Sequence, residues 1–221
     1  MNLKQLAGEY AAGFVRDGMT IGLGTGSTVY WTIQKLGQRV QEGLSIQAVP
    51  TSKETEVLAK QLSIPLISLN EIDILDLTID GADEMNSNLQ LIKGGGGALL
   101  REKIVASSSK ELIIIIADES KLVSNLGVFP LPVEIIPFSW KQTEKRVQAL
   151  GCETRLRMKD DGPFITDNGN LIIDSIFPNK ILNPNETHTK LKMITGVVET
   201  GLFINMTSKA IIGTENGIKE Y

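Results

Sequence analysis

Patterns typical of strands and of helices alternate over the first 125 residues, and this alternation restricts the folds open to the chain. Apolar residues at helical spacing predict an amphipathic helix over residues 3–16, and Thr20-Ile21-Gly22-Leu23 predicts a short buried strand after it. Such alternation indicates an α/β fold, a parallel sheet flanked by helices on both faces. The other elements predicted here are a helix over 29–36 capped by the hydroxyl residues before it, a helix from 51–54 to about Leu62, and strands over 46–50, 75–79 and 111–117.

The pattern changes near Phe129, which marks the start of a second domain. Prolines become frequent, and Asp167-Asn168-Gly169-Asn170 is a hairpin-turn signal between two predicted strands, 164–166 and 171–173. Strands mixed with two helices predict a small α+β domain over residues 129–203, ending in a strand over 197–203. The main domain is then residues 1–128 and 204–221, with a strand at 210–213 that returns to the main sheet.

Composition limits the functions that are open to the chain. It has 221 residues, a net charge of −4 and one cysteine, Cys152. The acidic balance argues against nucleic acid as a partner. The longest apolar stretch, 112–117, is too short to span a bilayer, and residues 3–14 are amphipathic rather than a signal sequence. The single cysteine suits a reducing compartment, so we expect a cytoplasmic protein with no membrane partner.

Three polar turns follow predicted strands, and in a parallel sheet such turns meet at one edge. They are Gly24–Thr28, Asp80–Glu84 and Asp118–Lys121. Ligands of open α/β sheets bind beyond the carboxyl ends of the strands. We therefore expect these turns to converge on one site that faces the glycine-rich segment described next.

The segment Lys93-Gly94-Gly95-Gly96-Gly97-Ala98-Leu99-Leu100-Arg101-Glu102-Lys103 has the composition of an anion-binding loop followed by a helix. Consecutive glycines let backbone amides approach a ligand closely, and a helix N-terminus favours negative charge. Lys93 adds a cation, and Glu102 adds a carboxylate that can take a proton from a carbon beside a carbonyl. The alternative for Glu102 is a surface residue that only complements the helix dipole.

Two further motifs have more than one interpretation. Gly22–Thr28 fails the tests for a Walker loop and for a dinucleotide fingerprint, so it is either a phosphate-binding turn or a tight strand–helix connection. Asp80, Asp83 and Glu84 can act as acid and base, hold a divalent cation, or bind backbone amides in a turn. Lys121 either reaches an anion or is a surface lysine. With no His/Cys cluster, a zinc or iron site is not predicted.

Taken together, these segments resemble ribose-5-phosphate isomerase, type A, over nearly the whole chain. The combination of DGADE with the lysine–glycine loop and REK is the most specific part of the resemblance. The matching blocks are GLGTGSTV (22–29), TSKET (51–55), DGADE (80–84), KGGGGALLREK (93–103), IADESK (116–121), FPLPVE (129–134), TDNGN (166–170) and GVVETGLF (196–203).

The resemblance implies an aldose–ketose isomerase that interconverts ribose 5-phosphate and ribulose 5-phosphate without metal or organic cofactor. It implies a Rossmann-like main domain, a smaller ferredoxin-like α+β domain, and a homodimer or homotetramer. By motif position, Glu102 is the base, while Asp80, Asp83 and Lys93 line the reacting sugar. The substrate-binding residues implied are Lys4, Thr25, Gly26, Ser27, Thr28, Gly81, Ala82, Gly94, Gly95, Gly96 and Lys121.

Two other functions compete with this interpretation. One is a non-catalytic sugar-phosphate sensor of the same fold, although no DNA-binding helix pair or basic arm precedes residue 20. The other is a metal-dependent isomerase that uses Asp80, Asp83 and Glu84 as ligands. Binding of ribose 5-phosphate without conversion would favour the sensor, and activity that survives EDTA would exclude the metal enzyme.

Overall fold

The computed structural model describes residues 2–116 and 119–221, which form two compact units. The first unit is residues 1–82, 101–121 and 206–221, and the second unit is residues 83–100 and 122–205. The helices are α1 (Leu3–Ala12), α2 (Val29–Gln41), α3 (Lys53–Gln61), α4 (Leu99–Ser107), α5 (Trp140–Gln148) and α6 (Pro184–Lys192). The strands are β1 (Thr20–Leu23), β2 (Gln47–Pro50), β3 (Leu77–Gly81), β4 (Glu84–Met85), β5 (Leu91–Ile92), β6 (Leu112–Ile116), β7 (Leu131–Ile135), β8 (Glu153–Leu156), β9 (Met158–Lys159), β10 (Gly162–Pro163), β11 (Leu171–Ile176), β12 (Val197–Thr200), β13 (Leu202–Phe203), β14 (Lys209–Thr214) and β15 (Gly217–Glu220).

The first unit is built on a six-stranded sheet with the order β15-β14-β6-β3-β1-β2. All neighbouring strands pair in parallel except β15, which is antiparallel to β14. Every residue of β6 is buried, because a central parallel strand is covered on both faces. The predicted α/β class is confirmed, and the strand predicted at 210–213 does return to this sheet.

Several predicted ends in the first unit were wrong. Helix α1 ends at Ala12 rather than residue 16, since Gly13 caps it with its N–H on the Tyr10 and Ala11 carbonyls. Helix α2 continues beyond Leu36 to Gln41, because Gly37 lets the helix pack closely on Leu62. Within the described residues, the Thr28 side chain makes no capping hydrogen bond, so the predicted hydroxyl cap of α2 is also wrong.

Strand β3 covers Leu77–Gly81 instead of the predicted 75–79. It pairs with β6 through its last residues, with Asp80 opposite Ile114 and Gly81 opposite Ile115. Asp80 therefore lies in the strand and not in a turn after it. Ala117 and Asp118 lie outside the described residues. The first residue of the turn predicted over Asp118–Lys121 is therefore among those not described.

The second unit contains a four-stranded antiparallel sheet with the order β12-β7-β11-β8. Helix α5 joins β7 to β8, and α6 joins β11 to β12. This β-α-β-β-α-β arrangement is the ferredoxin-like pattern, which confirms the expected α+β character. Two smaller ladders accompany it, β9 with β10 and β13-β5-β4.

The predicted hairpin arm over 164–166 is not a strand. The Thr166–Asn170 turn folds onto Glu134 of β7, whose Oε1 accepts hydrogen bonds from Thr166 Oγ1 at 3.0 Å and Asn170 Nδ2 at 2.9 Å. Glu134 is completely buried, so its carboxylate needs these donors. Side-chain bonding to this acid shapes the chain here, and β11 pairs with β7 and β8 instead.

The single strand predicted over 197–203 is two strands in different sheets. Gly201 separates β12 from β13, and its backbone is held at both ends: its N–H donates to Pro132 O at 2.7 Å, and its carbonyl accepts from Lys93 N at 2.9 Å. A side chain at this position would overlap the Lys93 carbonyl. Among the described residues, no helix is both long and apolar enough to cross a bilayer. The division into domains at 128/129 and 203/204 stays a prediction.

Candidate active site

The Gly24–Thr28 turn leaves β1 in the first unit and is cross-linked by hydroxyl groups. Thr25 Oγ1 lies 2.8 Å from Thr51 Oγ1 and donates to Ser52 Oγ at 2.9 Å. Ser52 also caps α3 by accepting from Thr55 N at 3.1 Å, as its sequence predicts. The Thr25 hydroxyl thus fixes the shape of the turn from within.

The outer part of this turn is open to solvent and carries a cation. Gly26 and Ser27 are exposed, and the Lys4 ammonium donates to Ser27 Oγ at 2.9 Å. Gly26 has a φ of +121°, a left-handed conformation that glycine adopts without strain. A lysine and a hydroxyl beside exposed backbone amides are donors that suit a phosphate.

Asp80 is buried where β3 lies beside β1. Its Oδ1 accepts hydrogen bonds from Thr25 N at 3.2 Å and from Gly81 N at 2.7 Å. Gly24 approaches it so closely that a Cβ there would lie 2.6 Å from the Asp80 Cα. The structure therefore brings the predicted Asp80 and Thr25 into contact.

Lys121 lies in a short 3-10 helix after β6, and its ammonium donates to the Ala82 carbonyl at 2.7 Å. Lys121 and Ala82, two of the predicted substrate-binding residues, are therefore in contact within the first unit. Ala82 directly follows Gly81, a third predicted residue. The bond draws the lysine to the chain segment after β3. Lys121 is partly exposed.

Asp83 and the glycine loop meet in the second unit. Asp83 Oδ2 accepts from Gly95 N at 2.7 Å, and a Cβ on Gly95 would lie 2.7 Å from Asp83 Oδ1. Gly94 has a φ of +102°, and its carbonyl accepts from Gly97 N at 2.9 Å. No described atom lies within 4 Å of a Cβ built on Gly96. The loop thus curls against Asp83 and is open at Gly96.

Lys93 is buried at the end of β5, also in the second unit. Its N–H binds the Gly201 carbonyl at 2.9 Å, and its ammonium lies 5.3 Å from the centre of the Phe203 ring. A cation over an aromatic face is attracted by the ring quadrupole. Backbone and ring together fix the start of the glycine loop.

Both carboxylate oxygens of Glu84 are bound by backbone amides. Its carboxylate accepts from Gly127 N at 2.7 Å and from Phe129 N, which ties the segment before β7 to β4. All three acids, Asp80, Asp83 and Glu84, accept hydrogen bonds from backbone amides. Over residues 2–116 and 119–221, no three His, Cys, Asp or Glu side chains are grouped so that they could hold a metal ion.

Glu102 is the fourth residue of α4 and is only 4% exposed. A surface residue that merely complements the helix dipole would be exposed, so that interpretation is wrong. A buried carboxylate in the first turn benefits from the positive end of the helix. Glu102 stands close to the glycine loop in sequence, since α4 begins two residues after Gly97.

Sequence reasoning missed the residues that support the predicted ones. Thr51, Ser52 and Thr55 belong to the TSKET block, whose hydroxyl content was the available signal. Arg157 donates to the carbonyls of the glycine loop, and nothing in its local sequence indicates this.

The fold is that of the α/β proteins, a class whose ligands bind beyond the carboxyl ends of parallel strands. Residues 47–217 match the family model described as ribose 5-phosphate isomerase A (phosphoriboisomerase A). The chain is 91% identical to a ribose-5-phosphate isomerase A of Bacillus mycoides over all 221 residues, the full length of both chains. It belongs to the ribose 5-phosphate isomerase A family.

Solved structures agree with this assignment. Ribose 5-phosphate isomerase A of Methanocaldococcus jannaschii has 43% identity and a TM-score of 0.94, with 99% of this chain and 97% of that chain covered. A D-ribose-5-phosphate isomerase in complex with phospho-erythronic acid has 42% identity and a TM-score of 0.95, with the same coverage. The predicted activity, interconversion of ribose 5-phosphate and ribulose 5-phosphate, is confirmed. The sensor alternative receives no support.

Proposed function

We propose that Glu102 is the base of this isomerisation and that the reaction passes through an enediolate. The observation that carries the proposal is the burial of Glu102 in the first turn of α4, directly after a loop of four glycines. A buried carboxylate is costly unless hydrogen bonds or opposite charges stabilise it. The helix N-terminus stabilises its negative charge, so it can accept a proton.

Each proton and electron pair has a defined place in this reaction. In the open-chain aldose, Glu102 removes the proton from C2, and the electron pair of that bond forms the C1–C2 double bond as the C1 carbonyl oxygen becomes negative. Glu102 then returns the proton to C1. The O2 hydroxyl loses its proton to form the ketone, and O1 gains one. A single carboxylate serves both carbons, because they are adjacent.

We assign the remaining steps to Asp80, Asp83 and Lys93. The aspartates carry hydroxyl protons while the furanose ring opens and while O1 and O2 exchange protons. The Lys93 ammonium and the amides of Gly94 and Gly96 stabilise the enediolate oxygen, an interaction worth roughly 3–4 kcal/mol per donor in comparable sites, while the Gly95 N–H holds Asp83. Burial of Lys93 supports this role, since its charge is weakly screened there.

We assign the phosphate to the Thr25–Thr28 turn with Lys4, and to Lys121 beside Gly81 and Ala82. The Lys4–Ser27 contact at 2.9 Å and the exposure of Gly26 support this assignment. The related isomerase that binds phospho-erythronic acid adds a chemical argument. That ligand carries a phosphate and a carboxylate, which match a substrate phosphate and the charge of an enediolate.

The decisive experiment follows the formation of ribulose 5-phosphate from ribose 5-phosphate by wild type and Glu102→Gln, with EDTA present. Glutamine keeps the shape of the side chain but cannot accept the proton. Turnover should therefore fall at least about 100-fold, the lower end of general-base contributions. Glu111→Gln, an exposed glutamate of the first unit, is the matched control and should turn over at the wild-type rate.

Near-normal turnover of Glu102→Gln would remove Glu102 from the role of base. Loss of wild-type turnover after prolonged chelation would revive the metal-dependent mechanism, which needs no base at this position. Circular dichroism of both variants checks that the substitutions leave the fold intact.

The setting of the enzyme is also part of the proposal. Ribose 5-phosphate and ribulose 5-phosphate are intermediates of the non-oxidative branch of the pentose phosphate pathway, so we place the chain there and in the cytoplasm. The lone Cys152 is reduced and suits that compartment. Membership of the family supports a homodimer or homotetramer.

A further inference from the structure

Arg157, directly after β8, binds the carbonyl side of the glycine loop. Its Nη1 donates to Gly94 O at 2.8 Å and to Gly95 O at 3.1 Å. All three residues belong to the second unit. Loop carbonyls 62 and 63 residues away in sequence are thus held by one guanidinium.

A carboxylate fixes the guanidinium in turn. Asp174 of β11 accepts from Arg157 Nε at 2.9 Å and from Nη2 at 2.5 Å, and the two side chains are 14% and 23% exposed. A bidentate pair of this kind sets the orientation of the guanidinium as well as its position. Phe164 lies on one side, with its ring centre 6.0 Å from the guanidinium carbon. Arg157 is therefore a rigid support.

The geometry of the peptide bond transmits this contact across the loop. Among the described residues no peptide bond is cis, and in a trans peptide the C=O and N–H point in opposite directions. The Gly94 carbonyl points to Arg157, and the next N–H, that of Gly95, reaches Asp83 Oδ2 at 2.7 Å on the other side. The Gly95 carbonyl also points to Arg157, so the Gly96 N–H is directed to the same side as Asp83.

We propose that Arg157, held by Asp174, is a positioning residue that orients two peptide units of the glycine loop for catalysis. It directs the Gly95 N–H onto the Asp83 carboxylate and turns the Gly96 N–H to the same side of the loop. The loop is open at Gly96, since a Cβ built on that residue meets no described atom within 4 Å. Four glycines have many accessible conformations, and the guanidinium selects the productive one. This inference rests on the proposed role of the loop amides at the enediolate oxygen.

The kinetic test compares Arg157→Met with Arg155→Met. Arg155 lies two residues earlier in sequence and lines the same surface pocket, but it is exposed. Removing an interaction made only in the transition state lowers kcat and leaves KM nearly unchanged. Arg157→Met should lose about 10–100-fold in kcat, the range that small misplacements cost, and Arg157→Lys should recover part of the loss. Arg155→Met should keep both constants.

A second measurement follows the conformation of the glycine loop in the absence of substrate turnover. Amide hydrogen exchange by NMR should be faster at Gly95 in Arg157→Met than in wild type, because the loop carbonyls are no longer held and the Gly95 N–H leaves Asp83 more often. The exchange should be unchanged in Arg155→Met. Unchanged Gly95 exchange, or wild-type kcat in Arg157→Met, would overturn the proposal. So would an equal loss of kcat in both methionine variants. The exchange result stands even if Glu102→Gln remains active, so the two proposals fail separately.

Discussion

At the scale of single residues, the site depends on glycines packed so closely that a side chain would not fit. Gly24 is the clearest case: its N–H binds the Ile79 carbonyl at 2.9 Å, and its own carbonyl accepts from Thr55 Oγ1 at 2.9 Å. The backbone is therefore held on two sides while Asp80 fills the space where a side chain would begin. Asp80 keeps its position because residue 24 is a glycine.

Gly24→Ala should destabilise the protein by about 1–3 kcal/mol, the usual cost of overpacking, and should also lower turnover by moving Asp80. Urea denaturation and the isomerase assay measure the two effects. Gly162→Ala is the control, since no described atom lies within 4 Å of its added Cβ, and it should stay within about 0.5 kcal/mol of wild type. A fully stable Gly24→Ala would show that β1 and β3 can separate at this point.

The candidate catalytic groups could be proposed from the sequence because they occur in short, dense motifs. Asp80, Asp83, Lys93 and Glu102 each stand in such a motif. Arg157 and Asp174 have no such signal: Arg157 is a single residue after β8, and Asp174 stands in the largely apolar β11. Arg157 reaches the loop, and Asp174 reaches Arg157, only in the folded chain. Long-range partners of this kind cannot be predicted from one sequence.

At the scale of elements, one aspartate joins the starts of two strands to the end of a helix. Asp76, just before β3, accepts from Thr20 N of β1 at 3.0 Å and from the Lys110 ammonium, after α4, at 2.7 Å. The Lys110 hydrogen bond and then the Thr20 N–H hold the pKa of this carboxyl below its usual value. Asp76 therefore stabilises the first unit mainly when it is ionised.

Asp76→Asn should cost no more than about 1 kcal/mol at neutral pH, because the pair is partly exposed and screened by water. The folded pKa is lower than the unfolded value of about 3.9, so the benefit is complete above that value. It is lost as the pH falls through the lower folded pKa. Urea denaturation from neutral to acidic pH should show the gap between wild type and variant closing. A gap independent of pH would contradict this, and exposed Asp73→Asn is the control.

Long elements were predictable from periodicity, and short ones were not. β1 was placed correctly, and β6 begins one residue later than predicted, while the last predicted residue, Ala117, lies outside the described residues. β4, β5 and β13 have two residues each and form one ladder from distant parts of the chain. A segment of two residues is too short to show a hydrophobic periodicity, so such strands can be recognised only in the folded structure. The strand predicted over 164–166 is absent for another reason, since the turn that follows it is bound by the buried Glu134.

At the scale of the whole molecule, Cys152 reports on the folding of the second unit. Its side chain is 7% exposed among the core residues of that unit, and burial raises the pKa of the thiol. Both effects keep the reactive thiolate scarce. A disulfide reagent at neutral pH should therefore label the native protein at least about 100-fold more slowly than the urea-unfolded chain. Rapid labelling of the native protein would mean that the second unit opens without global unfolding.

The order of the chain through the two units has a consequence for biosynthesis. The first unit is interrupted twice, and β14 pairs with β6 only after about ninety intervening residues have been made. During synthesis, the edge of β6 (Leu112–Ile116) that later pairs with β14 therefore stays unpaired until the second unit has been made. All five residues of this strand are apolar. Uncovered strand edges attract other chains. Slow translation of residues 122–208 should therefore favour aggregation of nascent enzyme and increase its demand for chaperones.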